Sequence, residues 1–277
     1  MTAVGPRVQA LERGHPEWKP WLTVLTMLLG EIANPAWDAV VPARQRKVPL
    51  LADAVIHLDR RLVRCLWDGL VGAACRSGTV ELATLEPTLH RDIDLLGLFS
   101  AALCQDAERL EVCGADPGAV KAIAALVPVP FLQACNRRWA GVRSASSSEG
   151  YCPICGAWPT LAEVRGIERS RYLRCGRCGS AWQAACLSCP YCGMTDHAQL
   201  ASLVPEKGGT AGVIEACKRC LGYVKTLATL QGSAPAQVLI DDLATVALDV
   251  VAFEHGYRRP DRGGHPLAVS VTDGWSQ

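Results

Sequence analysis

The chain has 277 residues, of which 49% are hydrophobic and 20% charged, with a formal net charge of +1. That length calls for two domains or one domain plus a metal module, and the composition excludes global disorder. The near-neutral charge excludes any global attraction to nucleic acid, an anionic membrane or an acidic substrate.

The first 20 residues hold Arg7, Glu12, Arg13, Glu17 and Lys19 and no apolar run, so no secretory signal is read there and a cytoplasmic protein is expected. The most hydrophobic window, Trp21 to Gly30, is shorter than the roughly 20 apolar residues needed to cross a bilayer and reads as a buried helix. From Trp18 to Trp139 apolar residues recur at three- and four-residue spacing, as in Leu50, Leu51, Ala54, Val55, Leu58, Leu62, Cys65 and Leu66. Similar stretches run from Leu89 to Leu110, Pro117 to Leu126 and Pro130 to Ala140, so residues 1–140 are expected to form an all-α helical bundle.

Residues 141–150 (GVRSASSSEG) are rich in Ser and Gly and read as a linker. Beyond them short β-prone pieces, Arg171 to Arg174, Gly212 to Glu215 and Tyr223 to Leu227, alternate with Cys, Gly and Pro turns, so 151–232 is expected to be a small β-rich metal module. Residues 233–277 are read as a C-terminal helix, Gln237 to His255, followed by a tail that is irregular from Gly256 onward. Asp241 and Asp242 sit early in that helix, where they would suit its positive end.

Fourteen cysteines are present, nine of them between Cys152 and Cys220. In a reducing compartment such clustering points to metal or redox chemistry rather than disulfides. Cys65, Cys75, Cys104, Cys113 and Cys135 have no CxxC neighbour and read as small buried hydrophobes. Four CxxC pairs carry the signal: Cys152/Cys155, Cys175/Cys178, Cys189/Cys192 and Cys217/Cys220. Two intervening residues let both sulfurs reach one ion, with backbone N–H groups of the turn donating to them. Pro153 and Pro190 preset the turn, and Gly156, Gly179 and Gly193 permit the positive φ that follows.

Short loop closure favours pairing the first knuckle with the second and the third with the fourth over an interleaved cross-brace. The two halves form a weak internal repeat, each ending in a strand that holds Trp182 or Tyr223. Arg174, Arg177, Lys218 and Arg219 are expected to offset the −2 charge of four thiolates around a divalent ion. Closed thiolate ligation leaves no open coordination position, which favours a structural or electron-transfer site over hydrolysis. Tetrahedral sulfur suits zinc and iron alike.

Cys186 has no CxxC partner and reads as packed, a redox or substrate-handling thiol being the alternative. His197 reads as a surface histidine. No GxGxxG, GxxxxGK[ST], HExxH or GxSxG occurs, and no catalytic residue is assigned.

The order CPxCG, RYLRCGRCGSAW, SCPYCG, CxxC-LGYVKTL and DDLATVALD with a trailing GYRR resembles the formate dehydrogenase accessory protein (FdhE) family over residues 151–259. The resemblance implies a helical domain joined to a tandem rubredoxin-like module. It also implies a non-enzymatic cytoplasmic maturation factor that binds the catalytic (alpha) subunit of a respiratory formate dehydrogenase before export by the twin-arginine route. Rubredoxin-type iron is associated with the family, so two Fe ions are expected on Cys152, Cys155, Cys175, Cys178, Cys189, Cys192, Cys217 and Cys220, with Zn as the alternative.

Two other readings compete. Residues 151–230 carry nine Lys or Arg, five Asp or Glu and six Trp or Tyr, enough for a nucleic-acid-binding zinc ribbon with a steep salt dependence. An electron-transfer or thiol-redox protein is the other, motivated by four-sulfur iron and Cys186.

Overall fold

The computed structural model describes residues 4–76, 93–110, 117–140, 149–204, 212–260 and 263–274. Residues 141–148 of the expected linker, 89–92 of one expected helix, His90 and Cys113 lie outside the described residues. The chain divides into two compact units, the first built from Met1–Arg46, Leu51–Arg138 and Leu267–Gln277, the second from Lys47–Leu50 and Trp139–Pro266. The stretch 233–277, read from sequence as one helix and tail, is thus shared between them.

Helices dominate the first unit: α1 (Val4–Gly14), α2 (Lys19–Ile32), α3 (Ala36–Ala39), α4 (Arg60–Arg76), α5 (Leu95–Cys104), α6 (Ala107–Leu110), α7 (Pro117–Ala124) and α8 (Val129–Trp139). In α4 the buried stripe Val63, Leu66, Trp67, Leu70, Val71, Ala74 follows the helical period, and α2 packs against it. At Gly69 of α4 an added Cβ would come within 2.2 Å of the Met27 methyl, the movable end of that side chain. Asp94 caps α5 by accepting from the Gly97 N–H at 3.0 Å. Phe99 meets Phe131 edge to face with centroids 5.6 Å apart.

Among the described residues the all-helical expectation for residues 1–140 fails over 41–58, where Leu50, Leu51 and Ala54 lie in turns and coil rather than helix. Val55–Leu58 is a strand, β1, paired in parallel with β8 (Ser270–Asp273) from the tail expected to be irregular. Burial alternates along β1, with Ile56 and Leu58 inside and Val55 and His57 outside, a period of two hidden within leucine spacing that also fits a helix. Asp59 separates strand from helix: its Oδ1 accepts from the Arg61 N–H at 2.7 Å and caps α4. The reading of the upstream cysteines as buried also needs correction. Only Cys135 is buried among the four described, and Cys65 is exposed because it lies off the apolar stripe of α4.

The second unit is one six-stranded sheet in the order β4-β3-β2-β7-β6-β5. Its strands are β2 (Leu161–Arg165), β3 (Ser170–Arg174), β4 (Ala181–Gln183), β5 (Leu200–Leu203), β6 (Gly212–Cys217) and β7 (Tyr223–Thr229). Every pairing is antiparallel except β2 with β7. Each half therefore runs knuckle, hairpin, knuckle, strand, and the parallel β2–β7 seam joins the halves. This is the internal repeat that the cysteine spacing outlines.

The expected helix from Gln237 to His255 is two helices, α9 (Gln237–Ala244) and α10 (Val246–Glu254), broken at Thr245. The Thr245 hydroxyl donates back to the Asp241 carbonyl at 2.7 Å, a competing bond that bends the chain there. Leu248 and Ala252 of α10 pack with Ile214, Ala216 and Tyr223 on one sheet face.

Candidate metal centres

All four knuckles close by the same backbone bond, in which the first cysteine's N–H donates to the carbonyl five residues on. Cys152 donates to Ala157 at 2.8 Å, Cys175 to Ser180 at 3.1 Å, Cys189 to Met194 at 2.8 Å and Cys217 to Gly222 at 2.9 Å. The residue after the second cysteine takes positive φ in every case. Gly156, Gly179 and Gly193 sit at 72°, 74° and 69°, and in the fourth knuckle Leu221 holds 56° without glycine's freedom.

This geometry brings eight sulfurs into two groups, Cys152, Cys155, Cys175, Cys178 and Cys189, Cys192, Cys217, Cys220, the ligand atoms of each lying within 4.8 Å of one another. The knuckles pair first with second and third with fourth, the arrangement with the shorter loops. Sulfur–sulfur separations are 3.4 Å for Cys152–Cys178, 3.5 Å for Cys155–Cys175, 3.6 Å for Cys189–Cys220 and 3.7 Å for Cys192–Cys217. A tetrahedral ion with metal–sulfur bonds of about 2.3 Å sets edges of about 3.8 Å. A disulfide would need about 2.05 Å. Both clusters could each hold a metal ion, and the donor set fits zinc or iron.

Charge asks for such an ion. Burial drives the Cys152 and Cys178 thiols well above the ordinary cysteine range, while hydrogen bonds from Cys152, Cys155 and Cys178 hold Cys175 well below it. A buried cage of four sulfurs cannot ionise fully without a cation inside it. In the second cluster burial again pushes Cys189 up. Cys217 is held low by the backbone N–H groups of Cys220 and Arg219, which outweigh the opposing burial.

The two clusters differ in access: all four cysteines of the first are buried, whereas Cys192 is half-buried and Cys220 exposed in the second.

Two of the four basic residues expected to offset the thiolates have partners other than the sulfurs. Arg174 ion-pairs with Glu163 and donates to the carbonyls of Gly179 at 3.1 Å and Ser233 at 2.9 Å. Glu163 also accepts from the Ser233 hydroxyl at 2.8 Å and pairs with Arg165 at 2.6 Å. Burial raises the Glu163 carboxyl, but the guanidinium of Arg174 and its other donors outweigh it and leave the pKa lowered. Arg174 thus braces the second knuckle by its backbone. Lys218 reaches the Ala198 carbonyl at 3.1 Å.

A second ionic cluster ties α9 and α10 to the sheet. The fully buried Lys225 ammonium contacts Asp242 at 2.7 Å and Asp249 at 2.6 Å, Arg259 contacts the same carboxylates at 2.6 and 2.9 Å, and the Tyr223 hydroxyl donates to Asp249 at 2.6 Å. This corrects the helix-end role expected for Asp241 and Asp242. They fall in the middle of α9, where Asp241 accepts from Gln237 and Ser233 and Asp242 serves the ion cluster. Sequence reading missed this set, although Lys225, Asp242, Asp249 and Arg259 all lie inside the motifs LGYVKTL, DDLATVALD and GYRR. His197 is exposed and outside both sulfur clusters, as expected, whereas Cys186, read as packed, is an exposed free thiol.

A mixed helix-and-sheet protein with two closed four-cysteine centres is the class that this fold and these sites define. Residues 186–266 match the family described as FdhE, C-terminal domain. Homologues of FdhE from Pseudomonas aeruginosa and Aquifex aeolicus are 33% and 29% identical over 149 and 117 residues, which is 49% and 41% of this chain. FdhE from Escherichia coli is 31% identical over 112 residues, 39% of this chain. The matched stretches span 48%, 41% and 35% of those relatives, at most about half of their length. The crystal structure of the FdhE protein from Pseudomonas aeruginosa shares the fold with a TM-score of 0.61 at 23% identity, covering 93% of this chain and 92% of that one. Residues 186–266 are thus similar to the C-terminal domain of FdhE, and the chain shares the fold of an FdhE protein.

Proposed function

We propose that the chain is a cytoplasmic, non-catalytic maturation factor that binds the catalytic subunit of a formate dehydrogenase and assists its formation before export. Two closed four-cysteine cages in a chain similar to FdhE carry this reading. Closed cages offer no coordination position to a substrate, so their chemistry supports scaffolding over hydrolysis. Among the described residues no helix is long and apolar enough to cross a membrane, in keeping with a partner met off the bilayer.

Cys152, Cys155, Cys175 and Cys178 hold one ion and Cys189, Cys192, Cys217 and Cys220 the other, in a tandem rubredoxin-like module over 151–232 that follows a mainly helical domain over 1–140. Iron is the proposed metal, with zinc as the alternative. An anaerobic absorption spectrum with metal analysis separates them, because ferric tetrathiolate sites are coloured and zinc sites are not.

The partner is tested by affinity capture from cells expressing a formate dehydrogenase. Recovery of the catalytic subunit is expected, and its absence under anaerobic, metal-replete conditions contradicts the reading.

A further inference from the structure

The face of the second unit's sheet opposite α9 and α10 holds a cavity of about 620 Å³. Strand register explains the hollow. Val213 stands opposite Thr226, Glu215 opposite Val224 and Ser202, and Val164 opposite Ala228, so this face carries mostly short side chains. The segment 186–191 lines the other side. It is tethered at both ends: Arg171 donates from Nη1 to the Ala185 carbonyl at 3.0 Å, and the Tyr191 hydroxyl donates to the Tyr223 carbonyl at 2.8 Å. Cys189 of the second cluster lies within it.

Three observations describe the occupant. The Thr226 hydroxyl on the cavity floor is buried and has no hydrogen-bond partner, and a hydroxyl can serve either an N–H or a C=O. Leu187 and Val204 at the mouth are each 67% exposed, so the apolar surface extends beyond the hollow, further than a ligand buried within it would cover. Arg171 is neutralised by Glu215 at 2.7 Å, leaving the exposed Arg169 guanidinium at the rim with no ion pair among the described residues. A main chain to meet Thr226, aliphatic side chains to fill the hollow and cover Leu187 and Val204, and a carboxylate for Arg169 are the features of a polypeptide.

We infer that this cavity binds an extended aliphatic segment of the client polypeptide, flanked by an acidic residue. The inference rests on the maturation-factor reading for the identity of the client, but not for the chemistry of the site. Because Cys189 belongs to the roof, loss of the second cluster's metal loosens the site as well.

The test uses the full metal-loaded chain and two probes, a fluorescein-labelled peptide Glu-Val-Ile-Val-Leu-Val-Glu and the purified catalytic subunit of a formate dehydrogenase. Ala228→Trp and Ser202→Trp fill the hollow from exposed positions, and Ile167→Trp, 96% exposed on the β2–β3 turn and outside the cavity, is the control. Circular dichroism and metal content verify that each variant is folded. Peptide affinity falls at least about tenfold in A228W and S202W, falls with Arg169→Glu, and is unchanged in I167W. Capture of the subunit follows the same order.

Undiminished peptide binding or subunit capture in the filled variants overturns the inference, as does equal binding of a peptide with serine in place of its aliphatic residues. Binding of oleate without the peptide also overturns it and assigns the hollow to a small apolar ligand. If the peptide behaves as expected but wild-type protein never captures the subunit, the maturation reading fails while the peptide site stands.

Discussion

Leu221 is the residue at which the fourth knuckle departs from the other three. It adopts φ 56° where they have glycine, and at 39% exposure it gains little from packing in return. A side chain in the left-handed region costs about 1–2 kcal/mol. Leu221→Gly is therefore expected to stabilise the metal-loaded protein by about 1 kcal/mol, after the added freedom of the unfolded chain is subtracted, measured by denaturant unfolding. The same knuckle contributes the exposed Cys220, so thiols of the second cluster should react with iodoacetamide before those of the buried first cluster, as read by peptide mass spectrometry. At this scale the sequence was most legible. Ligand spacing and the three glycines dictate local turn geometry almost alone, and the turn exists whatever surrounds it. The direction of Arg174 was not legible, because its partner Glu163 is eleven residues away and meets it only through the β2–β3 register.

Two ionic clusters bind the elements of the second unit together, and each makes a prediction. Arg174 and Glu163 are both almost fully buried. Glu163→Gln leaves the guanidinium without its counter-charge and is expected to cost about 3–5 kcal/mol in denaturant unfolding. Tyr223 concerns alkaline stability. Burial first, and the hydrogen bond to Asp249 second, push its hydroxyl up to about 12. An unfolded tyrosine ionises at about 10, so this contribution is complete below that pH and is lost as pH rises toward the folded value. Tyr223→Phe should remove that alkaline loss and, having lost a bond to a carboxylate, lower stability at neutral pH by about 2 kcal/mol. Helix periodicity was read well where a stripe is continuous, as in α2. It misread Val55–Leu58, where β-pairing with a strand more than 200 residues away decides the conformation. It also ran through Thr245, where a side-chain bond interrupts an apolar pattern that continues on both sides.

For the whole molecule, metal is expected to decide the fate of the second unit. Each structural site contributes on the order of 10 kcal/mol, comparable with the entire net stability of a domain, about 5–15 kcal/mol. The first unit has its own apolar core of buried tryptophan, phenylalanine and leucine side chains. Composition and cysteine distribution made the contrast between helical and metal-bearing regions visible. The return of the tail to pair with β1 was not visible, since nothing local in Ser270–Asp273 marks its partner. The most direct measurement is native mass spectrometry of the anaerobically purified chain combined with thiol alkylation before and after chelation. Two metal ions per chain, with the eight cysteines of the CxxC pairs resisting rapid modification until the metal is removed, is the predicted result. A metal-free folded chain, or one whose eight cysteines are alkylated at once or joined as disulfides, would contradict it.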